Sequence, residues 1–284
     1  MSAVTASFPV RRQDFGFEDV PRHWVDSDPF MTHLFNALSA LFPDGERFFV
    51  DSVRAVRDQI NDPQLQKDIS AFIGQEAMHA KEHGHFNDGA INQGFDIKKL
   101  EGWTRGFLSA KDLPLLNNKR VHLAATVALE HFTGILSAQL LKREDLVNAI
   151  DPSMRTLWAW HCVEENEHKA VAFDVFRRHV GSEFLRRRVL MLSLMLFFFR
   201  ISVFQRQLLR ADGRRVTWRE RWQALCFFWG RGGLMTEAMP HFLKAFRRGF
   251  HPDDIDQRAL INDWQAMRDI IGQINIRTKR GCPI

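Results

Sequence analysis

The sequence predicts an all-α fold, in which a four-helix bundle is followed by additional C-terminal helices. Apolar residues recur at intervals of three and four along extended stretches, as in Phe42, Phe49, Val53 and Val56. This is the period of a helix that buries one face. No convincing run of alternating apolar and polar residues indicates a β-strand. The two patterns together favour a protein made of helices alone.

Three helix starts are marked by an aspartate that precedes a proline, at Asp28, Asp62 and Asp151. Aspartate is a good N-cap, and proline has its φ preset for the first helical turn. A stretch with four interrupting glycine and proline residues, 94–116, predicts an irregular or broken crossover. The predicted helices are 29–41, 44–60, 63–92, 117–143 and 152–180.

The chain changes character near residue 181. Arg186, Arg187 and Arg188 precede an apolar run of leucine, methionine and phenylalanine, and a second basic run follows it. Thr217 and Glu220 have the spacing of a capping box, which predicts a further helix rich in Trp and Phe. We therefore divide the chain into an N-terminal extension, a bundle and an apolar, basic C-terminal layer packed on it. Their ranges are 1–28, 29–180 and 181–284.

Composition limits the classes of protein to consider. The chain has 284 residues, 45% of them hydrophobic and 26% charged, which is enough to bury a substantial core. Its three cysteines form no CxxC pair, and the N-terminus has no apolar segment typical of a signal peptide, so we expect a cytoplasmic protein. The chain contains no tyrosine. That excludes any mechanism that needs a tyrosyl radical or a phenolic acid.

Two Glu-x-x-His motifs, Glu76 with His79 and Glu165 with His168, predict a metal centre. A spacing of three places the carboxylate and the imidazole on one helix face, one turn apart. Two such pairs, with one glutamate from each of two other helices, form the ligand set of ferritin-like proteins that bind two iron or manganese ions. Glu46 and Glu130 are the candidates for the remaining carboxylates.

The spacing of these residues supports their pairing independently of the motif. Two helices of a hairpin present ligands at the same height only when both ligands are equally far from the turn. The midpoint of positions 46 and 76 is 61, at the predicted turn, and the midpoint of 130 and 165 falls in the segment 142–152. Each pair would lie roughly 20 Å from its turn. Carboxylates buried at that depth are costly without a cation.

Other residues near these motifs leave alternatives open. Glu82 begins a third Glu-x-x-His-like match, but its helical phase differs from that of Glu76, so we exclude it as a ligand. Glu164 competes with Glu165, which we prefer. His83 and His161 lie on the inner faces by helical spacing. Each is a candidate extra ligand or proton shuttle, or else a hydrogen-bonded core histidine.

Three stretches resemble the bacterial family named predicted metal-dependent hydrolases, which is assigned to the ferritin-like superfamily. They are FIGQEAMHAKEHGHFN, VALEHFTGIL and WHCVEENEHKAVAFDVF, and the resemblance covers about residues 10 to 270. The segment Glu164–His168 also resembles the EENRH motif of acyl-carrier-protein desaturases, whose second Glu and His bind iron. Carried over by position, the resemblance implies six ligands, namely Glu46, Glu76, His79, Glu130, Glu165 and His168.

The resemblance and the ligand chemistry lead to two expected activities. Four carboxylates and two histidines suit two ions of iron, or of manganese. We expect O2-dependent oxidation, hydroxylation or desaturation of a hydrophobic small-molecule or acyl substrate, with an electron-donor protein as partner. A metal-activated water that hydrolyses an ester or phosphoryl bond is the alternative. A metal-binding protein without catalytic activity is the second alternative.

The apolar C-terminal run leaves its own alternatives open. Val189–Phe199 is 11 residues long, and 16 when extended to Phe204, which is short of the ~20 needed to span a bilayer. Nearby arginine and tryptophan residues suggest peripheral membrane contact or a hydrophobic substrate entrance. Burial against the bundle or in a homodimer interface is the alternative. No nucleic-acid-binding module accompanies the arginines, so we expect no nucleic-acid partner.

Overall fold

A computed structural model describes residues 5–17, 19–109 and 118–264, and it confirms the all-α fold class. No strand occurs in these ranges, where the only extended pairing is an isolated bridge between Val25 and Ile150. The helices are α1 Pro29–Ser39, α2 Phe42–Arg54, α3 Pro63–Asn92, α4 Ile97–Leu108, α5 Lys119–Lys142, α6 Glu144–Ala149, α7 Pro152–His168, α8 Val171–His179, α9 Glu183–Ala211, α10 Trp218–Trp229 and α11 Leu234–Lys244.

The predicted helix starts are confirmed. The side chains of Asp28, Asp62 and Asp151 accept hydrogen bonds from backbone N–H groups in the first turns of α1, α3 and α7. Thr217 and Glu220 form the capping box that begins α10. These side chains satisfy backbone donors that have no partner inside the helix, which fixes where each helix starts.

The predicted crossover at 94–116 was wrong for its first part, because α4 lies there. Asp96 caps α4 by accepting a hydrogen bond from the N–H of Lys99, and Ile97, Leu100 and Thr104 are buried on one face. The two glycines inside this helix are at exposed positions, where each costs only about 1 kcal/mol relative to alanine. Burial of the apolar face outweighs that cost. Residues 110–116 of the prediction lie outside the described ranges.

Two other predicted helices end earlier than expected. Helix α2 ends at Arg54 and is followed by a short 3₁₀ turn, Arg57–Gln59, instead of continuing to residue 60. The side chain of Gln66 donates to the carbonyls of Arg57 and Ile60, so these groups need no helical partner. The predicted helix 152–180 is divided after His168 into α7 and α8. Lys169, at the division, donates from its Nζ to the carbonyl of Ile255.

The bundle is formed by two hairpins, α2 with α3 and α5 with α7. The first turns at the segment around Asn61, and the second turns through α6, as the midpoint argument required. Helices α2, α3, α5 and α8 share one apolar core, which includes Val53, Phe72 and Phe173. The candidate site lies inside the bundle of α2, α3, α5 and α7. Each of these four helices contributes at least one candidate ligand.

Three further parts cover the bundle. Helix α9 packs against α5 and α1, and α11 packs against α5. Residues 5–17 run along α3, where Ser7 bonds Asp68 and the N–H of Phe15 donates to Glu82.

By length and composition alone, α5 and α9 are both able to cross a membrane. Helix α5 is mostly buried as a bundle helix, whereas only 33% of the apolar window of α9 is buried.

Candidate metal centre

A first group of buried side chains combines both hairpins of the bundle. Glu46 of α2, His79 of α3, and His161 and Glu165 of α7 each place a ligand atom within 4.8 Å of the others. All four are buried, with at most 2% of each residue exposed. Two imidazole nitrogens and two carboxylates at this spacing can hold one divalent transition-metal ion.

A second group shares Glu165 with the first. Its other members are Glu76 and His168, with ligand atoms again within 4.8 Å of one another. Glu130 adjoins this group, because its Oε2 is 3.2 Å from Nε2 of His168, while Oε1 of Glu76 is 3.0 Å from the same nitrogen. One carboxylate common to two neighbouring groups is the arrangement expected of a ligand that bridges two ions.

Most of the polar atoms that face this centre lack a hydrogen-bond partner. Both carboxylate oxygens of Glu76 and of Glu130, one oxygen each of Glu46 and Glu165, and Nε2 of His168 are buried and form no hydrogen bond in the described structure, although Nε2 of His168 lies at ion-pair distance from Glu76 and Glu130. A buried polar atom without a partner costs on the order of 1–3 kcal/mol, and more when it is charged. Metal cations would satisfy all of these atoms at once, so the residues present fit a metal centre.

Burial and mutual repulsion keep protons on several of these carboxylates when no cation is bound. Burial, together with the neighbouring Glu130, raises the pKa of Glu76 to about 7. Burial, aided by the charge of Glu165, raises the pKa of Glu130 to about 8. Burial and the charge of Glu76 raise the pKa of Glu46 well above its ordinary value. The metal-free centre therefore carries exchangeable protons at neutral pH.

His168 and Glu165 stabilise each other's charged forms. Burial disfavours the imidazolium of His168, but the carboxylates of Glu76 and Glu130 outweigh it and raise the pKa of His168 well above its ordinary value. Burial opposes the charge of Glu165 in the same way, yet His161 and His168 lower the pKa of Glu165 well below its ordinary value. Glu165 is thus the carboxylate of the centre that is ready to bind a cation without losing a proton.

Outer partners orient both histidines of the Glu-x-x-His motifs. Nδ1 of His168 is 2.9 Å from Oε1 of Gln75, which leaves Nε2 directed at the carboxylates. Nε2 of His79 is 3.2 Å from Glu164, and its Nδ1 is directed at Glu76 and Glu165. A polar partner at the outer nitrogen, a hydrogen bond for His168 and a close carboxylate for His79, helps to fix the ring orientation of a metal-binding histidine.

An arginine from the N-terminal segment pairs with Glu164, the partner of His79. Arg11 donates to Glu164 at 3.0 Å and to both oxygens of Glu167 at 2.6 Å. Burial opposes the charge of Glu164, but His79 and Arg11 outweigh it and lower the pKa of Glu164. Glu164 is therefore a charged partner of His79 and Arg11, and it does not belong to either ligand group.

The two additional histidines take different places. His161 belongs to the first group, with Nε2 at 3.3 Å from Glu165. Its Nδ1 is 3.0 Å from Nε2 of His83, whose Nδ1 in turn is 2.9 Å from the hydroxyl of Ser39. His83 thus contacts the nitrogen of His161 that faces away from the first ligand group, and His83 itself belongs to neither group. Burial, with His161 and His79 nearby, lowers the pKa of His83 well below its ordinary value.

The structure brings the six residues predicted as ligands into this one centre, and their role as ligands stays a prediction. Glu82 is away from the centre, buried under the N-terminal segment as a partner of Phe15 and Lys81. Sequence reasoning missed Arg11, Gln75 and Ser39. Gln75 immediately precedes the predicted ligand Glu76, and this position could have indicated a residue close to the centre. Arg11 and Ser39 contact residues around the centre, Glu164 and His83, only through long-range packing, so no local pattern marks them.

Two apolar cavities flank the centre. The first, the Glu46 cavity of about 180 Å³, is lined by Glu46 together with α4, α5 and α9, and it includes Leu192 and Arg200. The second, the His161 cavity of about 450 Å³, is lined by His161, Cys162 and side chains of α9 and α10. Phe42, Thr133 and Phe197 line both cavities. An apolar molecule in either cavity would therefore lie beside a residue of the first ligand group.

Comparison with known proteins identifies one family. The model of the family described as "Predicted metal-dependent hydrolase" matches residues 9–256, which include every candidate ligand and most of the C-terminal layer. No curated protein and no solved structure matches the chain at a significant level.

Proposed function

Since the chain belongs to the predicted metal-dependent hydrolase family, we propose that it is a two-metal enzyme whose buried centre oxidises an apolar substrate with O2. The observation that carries this proposal is the pair of ligand groups that share Glu165 inside a helical bundle. Four carboxylates with histidines form the ligand pattern of ferritin-like proteins with two iron or manganese ions.

The proposed ligands are Glu46, Glu76, His79, Glu130, Glu165 and His168, with His161 as an additional donor to the first group. When bound, two iron ions would supply the redox chemistry that no side chain of this protein offers. The chain itself orients the donors through Gln75 and Glu164, and it keeps bulk water away by burying every donor. An electron-donor protein is the proposed partner, because net reduction of O2 needs electrons from outside the centre.

The cavity walls favour oxidation over hydrolysis. Ester or phosphoryl hydrolysis develops negative charge on oxygen, and enzymes stabilise it with hydrogen-bond donors aimed at that oxygen. Among the described residues, the side chains that line the Glu46 cavity are mostly hydrocarbon, and only Arg200 carries a permanent positive charge. Such walls suit a substrate whose reacting position is a C–H bond. Among the described aromatic residues near the centre are Phe42, Phe72 and Trp160.

Hydrolysis is the second candidate, and the family description favours it. In that case the metals would lower the pKa of a bound water, and the six ligands other than His161 would hold them. His161 and His83 would then stand as the groups that accept or pass on a proton, since they form a hydrogen-bonded pair beside Glu165. Ligand geometry alone is compatible with both reactions.

The experiment that separates the candidates uses iron-loaded full-length protein. After anaerobic reduction, O2 is admitted while oxygen uptake and the absorbance of diferric iron are followed. We expect rapid uptake by the wild type and at least about a tenfold slower rate for Glu130→Ala. An absence of uptake in the loaded wild type, together with cleavage of aryl or acyl esters by the same sample, would replace oxidation with hydrolysis.

A further inference from the structure

Helix α10 carries a stripe of exposed aromatic side chains. Trp218, Trp222, Leu225 and Trp229 are 79%, 58%, 49% and 53% exposed, and none of the described residues of α10 is buried. At about 100° per residue the four lie within an arc of about 60°. Large apolar side chains exposed together on one face indicate a surface that contacts another body.

Helix α9 presents a second stripe. Phe184, Met191, Leu192, Met195, Phe198 and Phe199 are all exposed, and they lie within an arc of about 120°. The opposite face of α9 is buried against α1 and α5 through residues such as Leu190 and Phe204. No residue of the described ranges covers the outward stripe, whereas the opposite face of the helix is firmly packed.

The two stripes meet at the His161 cavity. Phe198 of the α9 stripe and Trp229 of the α10 stripe both line that cavity, and its inner wall includes His161. The cavity thus extends from the exposed aromatic face to the candidate metal centre. We name the two stripes together the α9–α10 face.

The charge around this face is strongly positive. Between residues 183 and 222 the chain has 10 arginines, three acidic residues and no lysine. Two of the acids are paired with arginines of the same region, Glu183 with Arg186 and Glu220 with Arg214. Arg188, Arg206 and Arg210 are exposed on α9, and Arg215 and Arg219 are exposed near the start of α10. An apolar face bordered by arginine complements a lipid surface with negative headgroups.

We propose that the α9–α10 face docks on an anionic membrane surface. Tryptophan prefers the boundary between hydrocarbon and headgroups, and arginine pairs with phosphate. In the described part of the chain only one side of α9 is free, so the helix lies along the surface and does not cross it. On the basis of the proposed function, the His161 cavity then admits an apolar, membrane-dissolved substrate to the centre without passage through water. The docking itself does not depend on that function.

The test is co-sedimentation of the full chain with lipid vesicles. Metal-free and metal-loaded protein are each mixed with vesicles of phosphatidylcholine plus phosphatidylglycerol, and with vesicles of phosphatidylcholine alone. We expect binding at least about tenfold stronger to the anionic vesicles, and weaker binding as salt is raised. A blue shift of tryptophan fluorescence should accompany binding. Because the metal-free protein is included, failure of the proposed oxidation leaves this result intact.

Matched variants show whether the α9–α10 face is responsible. The triple variant Trp218→Ala, Trp222→Ala, Trp229→Ala should lose at least about tenfold of its vesicle binding. Trp103→Ala is its control, because Trp103 is also exposed but belongs to α4. Arg215→Glu with Arg219→Glu should reduce binding to anionic vesicles by at least about tenfold. Its control is Arg12→Glu with Arg54→Glu, which makes the same change in net charge at exposed positions elsewhere.

Two outcomes would overturn the proposal. The first is equal, weak binding of the wild type to both kinds of vesicle. The second is a stable dimer in light scattering that the triple tryptophan variant converts to a monomer, with no vesicle binding by either form. That result would assign the face to a second copy of this chain. Circular dichroism of each variant confirms that the helices remain folded.

Discussion

Metal binding should release protons, and the number released should fall as the pH rises. Carboxyl groups with pKa values of about 7 for Glu76 and about 8 for Glu130 hold protons in the metal-free protein. Together the two groups carry ~1.9 protons at pH 6 and ~0.6 at pH 8. Metal ligands must be deprotonated, so these protons leave when the ions bind.

Between pH 6 and pH 8 the number of protons released on metal binding should therefore fall by ~1.3 per chain. Any difference that Glu46 and His168 contribute is additional. For each proton released, the apparent affinity for the metal becomes tenfold stronger per unit rise in pH. Near pH 6 the two carboxyls alone should therefore strengthen metal binding ~100-fold per pH unit. Isothermal titration calorimetry with Mn²⁺, in buffers of different ionisation enthalpy, measures the number directly.

Glu164→Gln is the matched control for this measurement. Glu164 has a lowered pKa and therefore holds no proton to release at pH 6. The variant should keep the same proton count as the wild type, whereas Glu130→Gln should release about one proton fewer at pH 6. A count that is near zero at pH 6, or that does not change between pH 6 and pH 8, would refute the placement of these carboxyls at the metal centre.

Three further predictions follow from the same geometry. Because the folded pKa values of the two carboxyls exceed the ordinary value of 4.5, their contribution to the stability of the metal-free protein should fall as pH rises from about 4.5 through about 8. Thermal unfolding of the metal-free wild type and of the double variant Glu76→Gln, Glu130→Gln measures this contribution, because the buried His83 and His131, which act in the opposite sense, are common to both. A stability difference that does not shift in favour of the variant as pH rises would contradict it. His161→Ala should weaken binding of one of two ions by about 10- to 100-fold in metal titrations, and His83→Ala should affect it less; equal effects would remove His161 from the ligands. Arg11→Ala should destabilise the fold by on the order of 3 kcal/mol in denaturant unfolding, since it leaves the buried Glu164 without its cation, and no change would contradict that role.

Much of the fold was predictable because local chemistry determines it. The aspartate–proline starts of α1, α3 and α7 depend on two adjacent residues, and hairpin height depends only on chain length from the turn. These rules also put Glu46 level with Glu76, and Glu130 level with Glu165. The confirmed all-α class follows from the same period of apolar residues.

The parts that sequence reasoning missed depend on contacts between distant segments. Glycines suggested a broken crossover where α4 lies, because the gain from burying Ile97 and Leu100 is not visible in local propensity. The period of apolar residues continued past His168, although the helix ends there and Lys169 bonds a carbonyl of the C-terminal layer. Arg11 reaches Glu164 across 153 positions of sequence. No pattern of nearby residues predicts such a pair.

His161 shows how far the sequence reaches into the site. Its spacing of four from Glu165 correctly indicated the same helix face. To predict that His161 belongs to the first ligand group, one also needs the positions of Glu46 and His79, which lie on two other helices. His83 has an equally suggestive spacing from His79, yet it ends behind His161. Helical phase selects a face, and only packing selects which residue on that face meets the ligands of other helices.

The measurement that tests the two-metal centre most directly is the metal content of the full chain. Protein loaded anaerobically with Fe²⁺ and then desalted should hold about two ions per chain. Glu165→Ala should reduce this toward zero, because both ligand groups share that carboxylate. Glu164→Gln should retain about two ions, since Glu164 belongs to neither group and the amide oxygen of glutamine can still accept from His79. A wild-type chain that holds no metal, or a Glu165→Ala chain that still holds two ions, would contradict the proposed centre.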